Sequence, residues 1–126
     1  MTYTTVTHCG NDHPHWLKDL GFYDEELDTL EKRLLEIVQK NNSKEVMTGV
    51  EHYQNQFLIQ RNNIDQLQHD IREHDRNVAA EAQAHAGKMK STEVGEHSKL
   101  KEQVEVFENI FNQLRHEFNG FLSKWM

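Results

Sequence analysis

HSKLKEQVEVFENIFNQLRHEFNGFLSKW, residues 97–125, decides the fold. One stripe of apolar residues runs Leu100, Val104, Phe107, Phe111, Leu114, Phe118, Phe121 and Trp125, and His97 begins it. The steps alternate between three and four residues. That is a heptad seam, the spacing by which one face of a helix meets another helix. No proline interrupts it, and the only glycine is Gly120.

Upstream, the same period organises the middle of the chain. From Met47 or Val50 the seam passes through Tyr53, Phe57, Gln60, Ile64, Leu67, Ile71, His74, Val78, Glu81 and His85. A third seam runs through Tyr23, Leu27, Leu30, Leu34 and Ile37, after a start signal at Asp24 followed by two glutamates. Asn41, Asn42 and Ser43 end that helix and cap the next, with Asn42 and Glu45 at capping-box spacing. Asp12 and Pro14 open a shorter helix through Trp16, Leu17 and Leu20, which Gly21 is expected to stop or bend. Residues 1–12 have no helical period and read as an extended arm.

The sequence therefore predicts a single all-α domain over 1–126, an up-down-up antiparallel three-helix bundle of long heptad-patterned, coiled-coil-like helices. The long helices are placed at 24–41, 43–85 and 93–126, and a short helix at 13–21 covers one end. The composition agrees with an elongated bundle. Hydrophobic residues make up 36% and charged residues 28%, which suits helices that bury one stripe each. One proline and six glycines provide little punctuation for many short strands.

The net charge of -7 argues against a nucleic-acid partner and against an anionic membrane surface. A lone cysteine, Cys9, excludes an internal disulfide framework and makes a reducing compartment the expectation. There is no apolar leader-like run in the first thirty residues and no long apolar stretch, so the expected location is cytoplasmic.

Histidine is the outlier, with nine residues where ordinary composition gives about three. Beyond Ile71 the middle seam changes from apolar to ionisable while keeping its spacing. Two Glu-x-x-x-His pairs, Glu81 with His85 and Glu93 with His97, flank the Gly87–Thr92 turn. Four residues is one helical turn, so each pair shares a face. A hairpin centred near Met89 sets Glu81 opposite His97, His85 opposite Glu93, and His74 opposite Val104. The chemical reading is a metal site of Glu81, His85, Glu93 and His97, with His74 as a further ligand, for zinc, iron or manganese. The plainer reading is a polar layer that ends the core, with His74 satisfied by a neighbour such as Asp70. The first hairpin sets His13 beside Ile71, which brings the arm with His8 and Cys9 to the same end. That arm, with His13 and His15, is read first as ordinary polar chain and second as a metal-capturing segment. His52, His69 and His116 fall off the seams and are expected at the surface.

No nucleophile other than Cys9, no phosphate-cradling glycine loop and no catalytic signature is present, so the reading favours a non-enzymatic protein. The Glu-x-x-His spacing of ferritin-like di-iron sites is also absent, and no roles are carried over from such bundles. The leading functional expectation is a soluble bundle that acts through protein–protein contact, with a protein partner or as a homo-oligomer. The alternative is a transition-metal-binding bundle whose His/Glu site lies at the end of the second hairpin.

Overall fold

The computed structural model describes residues 3–5, 12–84 and 88–126, with side chains over 12–84 and 94–126. Three helices dominate: α1 (Asp12–Lys40), α2 (Lys44–Ala84) and α3 (Ser91–Trp125). They pack as the expected all-α three-helix bundle. Two three-residue strands, β1 (Tyr3–Thr5) and β2 (Lys88–Lys90), pair antiparallel with Thr4 opposite Met89. They tie the start of the chain to the connection between α2 and α3. No helix among the described residues is long and apolar enough to cross a membrane.

α1 is one helix where two were expected. Gly21 neither stops nor caps it, and Asp24 is not a helix start. The reason lies in the phase of the seam. Trp16, Leu20, Tyr23 and Leu27 are spaced four, three and four apart, so the buried stripe runs through Gly21 unbroken. A helical glycine costs about 1 kcal/mol, less than the loss of one buried Leu20 or Leu27. Asp24 instead joins Asp28 and Glu31 in accepting hydrogen bonds from the Arg61 guanidinium on α2. Arg115 on α3 donates to Glu26. These ion pairs fix the rotation of α1 against both partners. The α1–α2 turn is capped by Ser43, whose hydroxyl accepts from the backbone N–H of Val46, rather than by Asn42.

The buried residues are those of the three seams. On α2 they run from Val46 and Val50 through Tyr53, Phe57, Gln60, Ile64, Leu67, Ile71 and His74 to Val78. On α3 they run from His97 and Leu100 to Phe118, with Phe121 and Trp125 packed at the edge. At the end distant from β1, the Phe118 ring on α3 meets Tyr53 and Phe57 on α2 edge-on, with centroids 5.0 and 5.1 Å away. The Phe121 side chain lies over Gly49 there. A Cβ on Gly49 would overlap the Phe121 ring, so only glycine fits that position as packed.

The register of the second hairpin differs from the expected one. Tyr53 meets Phe118 and Phe121, and His97 lies level with His74 rather than with Glu81. The displacement is one to two helical turns. α2 stops at Ala84, and β2 occupies part of the connection, so the chain does not turn tightly about Met89. A shift of one heptad again places most apolar seam residues opposite apolar ones, as with Tyr53 and Phe118, Ile64 and Phe107, and Ile71 and Leu100. The apolar layers therefore fit both registers.

Candidate metal centre

Each helix contributes one histidine at the same level of the bundle. His13 lies in the first turn of α1, His74 lies between Ile71 and Val78 on α2, and His97 lies one step before Leu100 on α3. All three hold seam positions, so packing turns their rings inward. They are 1%, 4% and 6% exposed. His13 Nε2 lies 3.1 Å from His74 Nδ1 and 3.3 Å from His97 Nδ1. The three nitrogens lie within 4.8 Å of one another.

The outward nitrogens of two of these rings are held by carboxylates. Asp75, which follows His74 on α2, accepts from His13 Nδ1 at 3.0 Å. Asp12, which precedes His13 on α1, accepts from His97 Nε2 at 2.9 Å. Each carboxylate thus serves the histidine of another helix. Trp16 lies against the His97 ring at 4.9 Å and closes the side toward the core.

These bonds fix two tautomers. An imidazole that donates to a carboxylate through one nitrogen and remains neutral has a lone pair on the other. His13 Nε2 and His97 Nδ1 then face each other at 3.3 Å with lone pairs toward the same space. His74 Nδ1, 3.1 Å from His13 Nε2, can donate to it. Two of the nitrogen separations, 3.1 and 3.3 Å, are close to those between ligands of one metal ion. Zinc bonds to imidazole nitrogen at about 2.0–2.1 Å, and tetrahedral angles then put ligand nitrogens about 3.3–3.4 Å apart. The carboxylates on the outer nitrogens are the supporting shell that orients metal-binding imidazoles and raises their basicity.

Burial lowers the pKa of His97 below its ordinary 6.5. The hydrogen bond to Asp12 opposes this, and the neighbouring charges of His13 and His74 add to the lowering. The ring is therefore neutral near pH 7, as a ligand must be. The same shift gives a stability prediction. The unfolded chain takes up the His97 proton more readily than the folded chain, so the metal-free protein should lose stability as pH falls below about 6.5 and go on losing it down to the folded pKa. Urea midpoints measured between neutral and mildly acidic pH check this. A His97→Gln variant should show a shallower dependence, and an unchanged slope would remove His97 from the account.

Of the residues singled out in the sequence, the structure brings His74 and His97 together. Glu81 is half-buried two turns beyond His74 and lies outside the cluster. His85 lies outside the described residues, as do the Glu93 side chain, His8 and Cys9. Asp70 is not the partner of His74; its carboxylate accepts from Gln66. His15, His52, His69 and His116 are exposed, and His15 and His69 pair with Asp19 and Glu73 on their own helices.

His13, which the sequence placed with the arm and not with the Glu-x-x-x-His pairs, is the third member of the cluster. Its signal was present in two dipeptides, Asp12-His13 and His74-Asp75, each a seam histidine with a carboxylate beside it. No protein-family model matches the chain, and no curated protein or solved structure does either.

Proposed function

We propose that this protein is a metal-binding helical bundle whose ligands are His13, His74 and His97. One observation carries the reading: three buried ring nitrogens, one from each helix, converge at metal-ligand spacing, while Asp75 and Asp12 hold the outer nitrogens of His13 and His97. Three neutral nitrogen donors suit zinc, copper, nickel, cobalt or iron(II) better than manganese, magnesium or calcium, which prefer oxygen. Zinc is the leading candidate. Supported by three protein ligands, it could retain a fourth position for exchange.

The test is metal content. Untagged protein, stripped with a chelator and dialysed against zinc, should hold one ion per chain by elemental analysis. His13→Ala and His97→Ala variants should each hold less than a tenth of that at the same free zinc, since the loss of one of three ligands weakens binding by at least tenfold. Zinc retained equally by both variants would place the ion elsewhere.

Protein–protein contact or self-association is the second reading. In its favour, Val106 and Ile110 on α3 are about half exposed and line an α2–α3 groove with Leu67 and Phe107. The two readings are compatible, because this groove and the histidine centre occupy different levels of the bundle.

A further inference from the structure

A single exposed apolar side chain needs no explanation. On α3 two of them stand one helical turn apart on one flank. Val106 is 50% exposed and Ile110 47%. Neither holds a seam position, because the seam passes through Val104, Phe107 and Phe111. They form one rim of a groove of about 350 Å3 between α2 and α3, over the buried pair Leu67 and Phe107. Ile59, also about half exposed, stands one turn before Asn63 of the opposite rim. Where α1 meets its neighbours, by contrast, Arg61 and Arg115 cover the boundary with ion pairs to carboxylates.

The groove changes its chemistry along its length. Asp70 and Gln103 line both this apolar stretch and a second one, of about 320 Å3, so the two are continuous. Glu102 stands with Asp70 at the junction, and Glu73 and Glu96 line the second stretch. Lys99 is the one basic side chain among the described residues of the wall. Four carboxylates and one ammonium give this end of the groove a negative potential. Glu73, Glu96 and Glu102 are exposed at the surface.

An apolar groove between two helices suits the apolar face of a third. The charge gradient says which kind of helix. A second copy of this chain, with its net charge of -7, would bring further negative charge to a face that already carries it. A helix with cations one or two turns beyond its apolar anchors, on the same face, gains at both ends of the groove. Measured along α3, Glu96 to Ile110 is about 21 Å of helix, so about four turns of such a partner are engaged. We propose that the α2–α3 groove docks a basic amphipathic helix of a partner protein, with apolar side chains over Val106 and Ile110 and Lys or Arg facing Asp70, Glu73, Glu96 and Glu102. This inference rests on the contact reading above and adds the class of partner. It does not depend on the metal.

The probe is a synthetic helical peptide of about four turns. It carries leucines at three- and four-residue spacing in one half and lysines on the same face in the other. One companion peptide has its lysines replaced by glutamate, and a second has its leucines replaced by serine. Binding to the full chain is measured by titration calorimetry. The leucine–lysine peptide should bind at least about tenfold more tightly than either companion at low salt, and its lead over the glutamate peptide should narrow as salt is added. The double variant Val106→Ser, Ile110→Ser should weaken its binding at least about tenfold. The double variant Glu96→Gln, Glu102→Gln should instead bring the lysine and glutamate peptides closer together. All four altered side chains are exposed, so the bundle keeps its core. Equal binding of the lysine and glutamate peptides would overturn the basic partner and leave the contact reading standing. So would a native chain that sediments as a dimer and becomes monomeric in Val106→Ser, Ile110→Ser, because a second copy would then fill the groove. A monomeric chain that binds none of the peptides would remove the contact reading and the inference together.

Discussion

Zinc in excess should raise the thermal unfolding midpoint of the metal-free protein by something on the order of 10 °C. A ligand that binds only the folded state stabilises it by about 2.7 kcal/mol at a hundred times its Kd and about 4.1 kcal/mol at a thousand times. For a chain of this length each kcal/mol moves the midpoint by several degrees. The folded state is favoured because the three proposed ligands are far apart in the sequence, and any binding of zinc to other histidines of the unfolded chain reduces the shift. His13 is 61 residues from His74 and 84 from His97. No two of them form a local chelate that an unfolded chain could use. Differential scanning calorimetry with and without zinc measures the shift. His13→Ala should abolish it, and acid should erode it in both directions of the linkage, since protonated imidazoles do not bind metal. Replacing all three histidines by leucine provides a control of the opposite kind. A seam filled with apolar residues should hold the bundle together at least as well as the metal-free histidines do and should show no response to zinc. A zinc-induced shift that survived in the leucine variant would disconnect the centre from the effect.

The second large effect lies at the other end of the molecule. Phe118→Ala should cost about 3–5 kcal/mol, the range for deleting a buried aromatic ring. Phe118 is fully buried and packs at 5.0–5.1 Å against Tyr53 and Phe57, with Phe121 alongside at 6.2 Å. Four aromatic rings therefore cluster here, and removing the central one leaves a cavity among them. Against a total stability of about 5–15 kcal/mol for an ordinary domain, that is a large fraction. Urea unfolding followed by circular dichroism measures it. Stabilisation by zinc should persist in the variant, because the aromatic layer and the histidine centre share no partners and distant effects add. A cost under about 1 kcal/mol would mean that this layer is not packed as described.

The bundle could be read from the sequence because its signal is periodic and redundant. Nearly every residue assigned to a seam is buried, from Leu27 through Phe118, and even Gln60 holds its place at 3% exposure. What could not be read was the phase between helices. A heptad seam maps onto itself when slid by seven residues, so Tyr53 can face Phe118 or Trp125 with equal satisfaction. Only the polar residues break the degeneracy, and a Glu-x-x-x-His motif is a poor guide to it. It pairs residues on one helix, whereas the centre pairs residues on three. His13 was read first as ordinary polar chain and second as part of a metal-capturing arm, because it stands at the start of the Trp16–Leu20–Tyr23–Leu27 stripe and belongs to neither Glu-x-x-x-His pair. The level of His74, by contrast, was legible from the short α1–α2 turn, which brings His13 within a turn of it.

The wide spacing of the three histidines along the chain also bears on the order of events during folding. Neither hairpin alone contains all three. The first supplies His13 and His74, the second His74 and His97, and the nitrogens converge only when α1 and α3 have both closed on α2. Such long-range convergence belongs late on a folding route, after the loop entropy of both hairpins has been spent. An ion that recognises only the finished arrangement does little to hasten its assembly. It acts on the reverse step, slowing the opening of a bundle already built, so its contribution is to lifetime rather than to speed of folding.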